Sequence, residues 1–237
     1  MFNKNLNLIK AILHFNFRIP FILWKIKYLR DDEFYPYFIN LVDELLKCLK
    51  VDIKVEGIEN LENIDSNYFI VSNHRGMVDP VIISSIFSKE RKLSYIMKSS
   101  LSKTPIIKDI GERTNSKYLE RNPKDDLKTI LEIIELQKNG KNYLIFPEGT
   151  RNTTEENILE FKAAAFKIPL KAKSTIIPVC LYGTENIFEK KYNRKILDVH
   201  MKIFKPIPYE EYKDLKTPEI SKKIEKEIDE FISKIRN

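Results

Sequence analysis

The chain has 237 residues, enough for one domain with a sizeable core. It carries 41 Lys and Arg against 34 Asp and Glu, a net charge of +7 with a pI near 9.1, which favours anionic partners such as phosphates and acidic lipids. The two cysteines, Cys48 and Cys180, and the three histidines are scattered, which excludes the usual zinc spacings and predicts free thiols in a reducing compartment.

The first 30 residues form a basic, apolar segment. Six Lys and Arg occur there before the first acid, Asp31, and they alternate with Phe, Leu, Ile and one Trp. The longest uncharged apolar stretch, 19–24, is far shorter than the roughly 20 residues that cross a bilayer, and no signal-peptide cleavage site is present. Such a segment is typical of amphipathic helices that lie in the membrane interface. The alternative is a helix that packs on the domain, and both can hold at once.

Alternating strands and helices follow, and we expect Pro20 to kink or divide the first segment. The predicted elements in chain order are a helix opened by Pro36, strands at 51–55 and 68–71, a helix at 80–87, a strand at 93–97, an irregular stretch at 101–116, a short strand at 118–121, a helix at 125–138, a strand at 143–146, a helix near 160–170, strands at 175–181 and 197–203, and a final helix from Thr217. This order predicts an α/β domain with a largely parallel, mixed sheet flanked by helices and preceded by an N-terminal amphipathic segment.

One polar loop follows the apolar strand at 68–71. It holds His74, and five positions later Asp79-Pro80 can start a helix, with Asp79 as N-cap and Pro80 in the first turn. Ligands bind at the carboxyl ends of strands in open α/β sheets. Asp79 could accept a hydrogen bond from one imidazole nitrogen and leave the other as a base. For an isolated pair of this spacing, a loop histidine beside a helix cap is the simpler interpretation.

A second loop of the same kind changes that balance. Phe-Pro-Glu-Gly-Thr-Arg at 146–151 also follows an apolar run, 143–145. Because the carboxyl ends of parallel strands meet at one edge of a sheet, we expect the two loops to lie at the same edge.

These blocks, in their order and separation, resemble the glycerolipid acyltransferase family, and most of all its 1-acylglycerol-3-phosphate acyltransferases. Tyr-Leu-Glu-Arg at 118–121 is similar to the second block of the family and Ile-Ile-Pro-Val at 176–179 to the fourth, so the resemblance covers about residues 51–205. Three positions depart from the family pattern: Gly76 replaces a frequent Ser, Asn115 the usual Gly before the second block, and Ala164 the Gly of a Phe-Lys-x-Gly run. These departures concern the choice of acceptor and the shape of the acyl pocket.

The resemblance implies a catalytic pair and a set of substrate-binding residues. His74 would be the general base and Asp79 would orient it. The residues that the resemblance carries over to acceptor binding are Arg121, Glu148, Gly149, Thr150 and Arg151. Asn73, beside the histidine, and Lys98, as a further phosphate contact, are added as substrate-binding candidates. For Lys98 a solvated lysine, and for Arg121 a surface ion pair with Glu120, are open alternatives.

The implied reaction is acyl transfer from acyl-CoA or acyl-ACP to the sn-2 hydroxyl of lysophosphatidate, giving phosphatidate, without a metal or cofactor. No G-x-S-x-G elbow occurs and neither cysteine lies near a motif, which favours direct attack by the acceptor over an acyl-enzyme.

Residues 1–50 would associate with an anionic membrane from its cytoplasmic face, as a peripheral or monotopic protein, and 51–237 would form the catalytic domain. The alternatives are another acceptor, such as glycerol 3-phosphate or another lysolipid, or a non-catalytic basic protein that binds nucleic acid or acidic lipid. No recognised nucleic-acid motif occurs.

Overall fold

The computed structural model describes residues 9–10, 13–14, 16–62, 64, 67–88, 92–120, 122–188 and 196–236, so Arg121 lies outside the described residues. The helices are α1 (Ile19–Tyr28), α2 (Asp31–Leu49), α3 (Asp79–Phe87), α4 (Pro105–Arg113), α5 (Pro123–Lys138), α6 (Lys167–Ala172), α7 (Tyr209–Tyr212) and α8 (Thr217–Arg236). The strands are β1 (Val51–Glu56), β2 (Tyr68–Ser72), β3 (Leu93–Lys98), β4 (Lys117–Leu119), β5 (Asn142–Ile145), β6 (Thr175–Tyr182) and β7 (Leu197–Ile203). Single 3-10 turns lie at Ile58–Leu61, Ser99–Lys103, Ala163–Phe166 and Thr184–Phe188.

The described strands form one sheet in the order β1-β7-β6-β2-β5-β3-β4. All neighbouring pairs are parallel except β6 and β7, so β1 and β7 run against the others. The predicted α/β fold with a largely parallel, mixed sheet is therefore confirmed. Because β2, β3, β5 and β6 point the same way, the loops that follow them share one edge of the sheet.

The sheet is buried between two layers of helices. Alternate residues of the central strand β2 face opposite sides: Ile70 packs in a core with α2 and α3, and Phe69 packs in a core with α5, α6 and α8. Burial on both faces explains why β2 is apolar throughout, whereas the edge strand β1 alternates apolar and charged residues.

Two predictions about helices are wrong. Helix α2 was predicted to begin at Pro36, but it begins at Asp31 and contains Pro36. Acidic residues fill its first turn, and the Glu33 carboxylate accepts the Arg30 N–H at 3.2 Å, which together favour the earlier start. The stretch 101–116, predicted to be irregular, contains α4. Gly111 lies inside this helix, and the Tyr118 hydroxyl packs against it. A Cβ at this position would lie 2.3 Å from that hydroxyl, so glycine makes room for the contact.

The first two helices are part of the fold. Ile22 and Ile26 of α1 are buried in the same core as α2 and the sheet. Arg113 of α4 donates to the Leu29 carbonyl at 2.8 Å and lies over the Phe34 ring, tying the end of α1 to the domain. Among the described helices, none is both long and apolar enough to cross a bilayer. The predicted division near residue 50 falls between α2 and β1, and a separate membrane role for 1–50 stays a prediction.

Candidate active site

The loop after β2 is held by Asn73. Its side-chain amide is completely buried and forms two hydrogen bonds with the backbone of Leu181 in β6, donating to its carbonyl and accepting its N–H, each at 2.8 Å. Buried amide groups of this kind are costly to leave unpaired, so the end of β2 is fixed against β6. His74 therefore leaves the sheet from a defined position.

His74 and Asp79 form the predicted pair. The His74 Nδ1 lies 2.8 Å from Asp79 Oδ2, and the same oxygen accepts the N–H groups of Arg75 and Gly76, each at 2.8 Å. The aspartate is completely buried and the imidazole is about one-fifth exposed. Since a carboxylate oxygen only accepts hydrogen bonds, Nδ1 carries the proton and Nε2 is left as the free base.

Asp79 does not cap its helix as predicted. It is the first residue of α3, the N-cap position belongs to Val78, and no side-chain cap bond is formed. The carboxylate instead turns back to the His74 loop, because three N–H donors converge on it there. Its function in the local structure is to close the turn from His74 to Gly76.

The two predicted loops meet at this edge of the sheet. The Phe146 ring stacks on the His74 ring with centroids 4.2 Å apart. Glu148, which is 4 % exposed, bridges the loops: one carboxylate oxygen accepts the His74 peptide N–H at 2.6 Å and the other accepts the Leu159 N–H at 3.0 Å. The Glu-Gly-Thr-Arg turn is thus joined directly to the backbone of the histidine.

Burial dominates the protonation of Glu148. It raises the pKa of this carboxyl to about 7, with a smaller rise from the charge of Asp79, and the His74 and Leu159 N–H donors and Arg75 oppose the rise. The ordinary pKa of a glutamate in the unfolded chain is about 4.3. As the pH rises between these two values, the unfolded state loses this proton before the folded state does, so the stability contributed by Glu148 falls through that window.

This linkage gives a measurable prediction. From pH 5 to pH 8, wild type should lose about 2 kcal/mol of unfolding free energy relative to Glu148→Gln, which has no proton to release there. Urea unfolding of both proteins at several pH values measures the difference. Parallel pH curves for the two proteins would show that the Glu148 carboxyl does not titrate in this range.

Cationic side chains lie in and beside the turn that follows Glu148. Gly149 has φ +71°, and a Cβ there would lie 2.7 Å from the Lys162 ammonium nitrogen. Thr150 and Arg151 are exposed, and Lys98 is exposed at the end of β3. With the residues that the structure describes, neither Arg151 nor Lys98 forms an ion pair, so both charges are available to an anion. Lys162 is not among the residues predicted from the sequence, although it belongs to the Phe-Lys run that follows the Glu-Gly-Thr-Arg turn.

The fold and the site define an α/β protein with a hydrogen-bonded His-Asp pair beside a turn that carries an exposed cation, an arrangement that could activate a hydroxyl on an anionic molecule. A family model described as Acyltransferase matches residues 52–182, more than half of the chain, and the chain belongs to this family.

Several curated relatives carry one name, 1-acyl-sn-glycerol-3-phosphate acyltransferase. The chain is 29% identical to that of Saccharomyces cerevisiae over 79% of its own length and 62% of the relative. It is 31% identical to the chloroplastic LPAT1 of Arabidopsis thaliana over 57% of its own length and 37% of that relative. It is 30% identical to the enzyme of this name from Borreliella burgdorferi over 60% of its own length and 59% of that relative. The match thus spans less than two thirds of each of these relatives.

The crystal structure of the 1-acyl-sn-glycerophosphate (LPA) acyltransferase from Thermotoga maritima has the same fold. It superposes with a TM-score of 0.77 over 99% of this chain and 98% of the other, at 24% sequence identity.

Proposed function

We propose that this protein transfers an acyl chain from an acyl thioester to the sn-2 hydroxyl of lysophosphatidate, giving phosphatidate. The observation that carries the proposal is the 2.8 Å hydrogen bond between His74 and the buried Asp79, joined through Glu148 to the turn that carries Arg151. The names of the relatives support acyl transfer to this acceptor.

The proposed mechanism is direct transfer with His74 as general base. Nε2 takes the proton of the acceptor hydroxyl as its oxygen attacks the thioester carbonyl carbon. The C–S bond of the tetrahedral intermediate then breaks, the protonated imidazole returns the proton to the leaving thiolate, and an ester and a free thiol result. Asp79 holds the tautomer and stabilises the transient imidazolium.

The acceptor phosphate would be bound by the exposed cations near the Gly149 turn. Arg151 can hold two phosphate oxygens through parallel N–H bonds, and Lys162 and Lys98 would add charge. Thr150 and the peptide of Gly149 would contact the same group, and Arg121 stays a prediction outside the described residues.

Two of the predicted substrate-binding residues are better assigned as positioning residues. Both polar atoms of the Asn73 side chain are engaged by Leu181, and both carboxylate oxygens of Glu148 are engaged by backbone N–H groups. Both side chains are buried and each of their polar atoms has a backbone partner, which favours a positioning role over direct contact with the acceptor.

Thiol release from acyl-CoA in the presence of lysophosphatidate tests the proposal. Parallel assays with acyl-ACP, glycerol 3-phosphate and other lysolipids, at one fixed donor or acceptor concentration, distinguish the donor carrier and the acceptor. We expect lysophosphatidate to give the highest kcat/KM. Release with glycerol 3-phosphate alone would assign the other acceptor, and no release from any thioester would favour a non-catalytic binding protein.

We further propose that the protein binds the surface of anionic membranes through α1 and Phe17, which lies two residues before it. Phe17, Phe21, Trp24 and Tyr28 are all more than half exposed and recur at helical spacing, on the face opposite the buried Ile22 and Ile26. Aromatic rings of this kind insert into the interface, and the basic residues beside them favour anionic lipid.

Replacing Phe21, Trp24 and Tyr28 by Ser should lower binding to anionic vesicles by about 100-fold or slightly more, since each ring contributes about 1 kcal/mol. Vesicle flotation measures this, and activity on a soluble short-chain acceptor should be spared. This variant is cleaner than deletion of residues 1–30, which would uncover the core beside Ile22 and Ile26. The matched control is Ser at Leu127 and Leu131, two equally exposed leucines of α5. Equal flotation of both variants and wild type would contradict the membrane role of α1.

A further inference from the structure

The segment between Arg151 and Lys162 is held on one side by the histidine loop. The Asn152 N–H donates to the His74 carbonyl at 2.7 Å. The Arg75 guanidinium donates to the carbonyls of Glu156 at 2.6 Å and Asn157 at 3.2 Å. These bonds tie the backbone of the segment to His74 itself and to Arg75, the residue that follows it.

The other side of the segment is held by α8. The Asn157 side chain donates to Asp229 Oδ1 and Ser233 Oγ, each at 2.9 Å, and accepts from Arg236 at 2.7 Å. Further along, the Phe161 N–H donates to Glu225 at 2.7 Å. The whole of α8 lies outside the residues 52–182 that the family model matches.

We infer that Asn157 is a positioning residue, through which the C-terminal helix fixes the Arg151 turn relative to His74. This inference rests on the proposed function, in which Arg151 and Lys162 hold the acceptor phosphate while His74 takes the proton of its hydroxyl. The two cations flank the held segment, so the segment sets the distance between the phosphate site and the base. A misplacement of about 1 Å at such a site can cost about 100-fold in rate.

A swap across the Asn157–Asp229 pair tests the inference. Asn157→Asp places two carboxylates at hydrogen-bond distance and removes the donor to Asp229. Adding Asp229→Asn restores a donor and an acceptor with the original net charge. Asp229→Asn alone keeps an acceptor for Asn157, and Glu230→Gln removes one charge from the exposed neighbouring position of α8. These two single variants are the matched controls.

We expect Asn157→Asp to raise the KM for lysophosphatidate about tenfold while the KM for acyl-CoA changes less than about twofold. Amide hydrogen exchange in residues 152–161 should quicken in the same variant. The double variant should recover both values to within about twofold of wild type. Both control variants should behave as wild type in both measurements.

Two results would overturn the inference. One is unchanged exchange in 152–161 together with an unchanged acceptor KM. The other is a fall in kcat with both KM values altered alike, which indicates a merely structural role. If wild type transfers no acyl group at all, the proposed function fails separately. The exchange measurement then still decides whether Asn157 holds the segment. If it does, the exchange rate of residues 152–161 must rise in Asn157→Asp and recover in the double variant.

Discussion

Replacing His74 by Ala is expected to lower the rate of acyl transfer by about 100- to 10,000-fold, the range that a general base contributes. The imidazole Nε2 is the ring nitrogen that the pairing leaves free, since Nδ1 is used by Asp79. The side chain is partly exposed, so its removal should leave the fold intact. Thiol release by the purified variant, with its unfolding transition compared to wild type, measures both effects.

His200→Ala is the matched control, because this histidine lies on the polar face of β7 and forms none of the site's hydrogen bonds. It should retain wild-type turnover. A folded His74→Ala protein that keeps more than a small fraction of the rate would remove the histidine from its proposed role.

Asp79→Asn should reduce kcat by about 100-fold or more while the KM for lysophosphatidate stays close to wild type. The variant loses the negative charge that stabilises the imidazolium. Among the described residues, the second oxygen, Asp79 Oδ1, is buried without a hydrogen-bond partner, so an amide would place its NH2 there or give up the bonds to Arg75 and Gly76. Leaving a buried polar group unpaired costs about 1–3 kcal/mol, so thermal unfolding should occur at lower temperature.

Steady-state kinetics well below the unfolding temperature separate the two consequences for Asp79→Asn. Asp198 of β7 forms an exposed ion pair with Lys54 of β1, so Asp198→Asn is the control for a lost carboxylate charge. A raised acceptor KM at unchanged kcat would instead place Asp79 in substrate binding.

Much of the secondary structure could be predicted from local pattern. The bounds predicted for β1, β2, β6 and β7 and the start of α8 lie within one residue of those in the structure. Alternation marks β1 and β7, continuous apolar runs mark β2 and β6, and helical spacing marks α8. Helix α4 is not predicted from the sequence, because Pro105 and Gly111 are residues that commonly interrupt helices. The glycine is there because Tyr118, from a different element, packs against it, and no local pattern contains that contact.

The contacts that hold the site together could not be predicted in the same way. The pairing of His74 with Asp79 is local in sequence and could be anticipated. The bonds of Asn73 to Leu181 and of Glu148 to the His74 N–H join residues more than 70 positions apart. Their polar side chains look like substrate ligands in the sequence, because burial and hydrogen-bond partners are properties of the folded chain.

By itself, the sequence determined the α/β class, the two polar loops at the carboxyl edge of the sheet and the His74–Asp79 pair, since these depend on periodicity and short spacings. Only the tertiary structure decided that α1 both packs on the core and exposes an aromatic face, that Glu148 joins the two loops and that α8 holds the segment after Arg151. Each of these depends on which distant side chains meet, and hydrogen bonds and burial between distant residues leave no periodic signal along the chain.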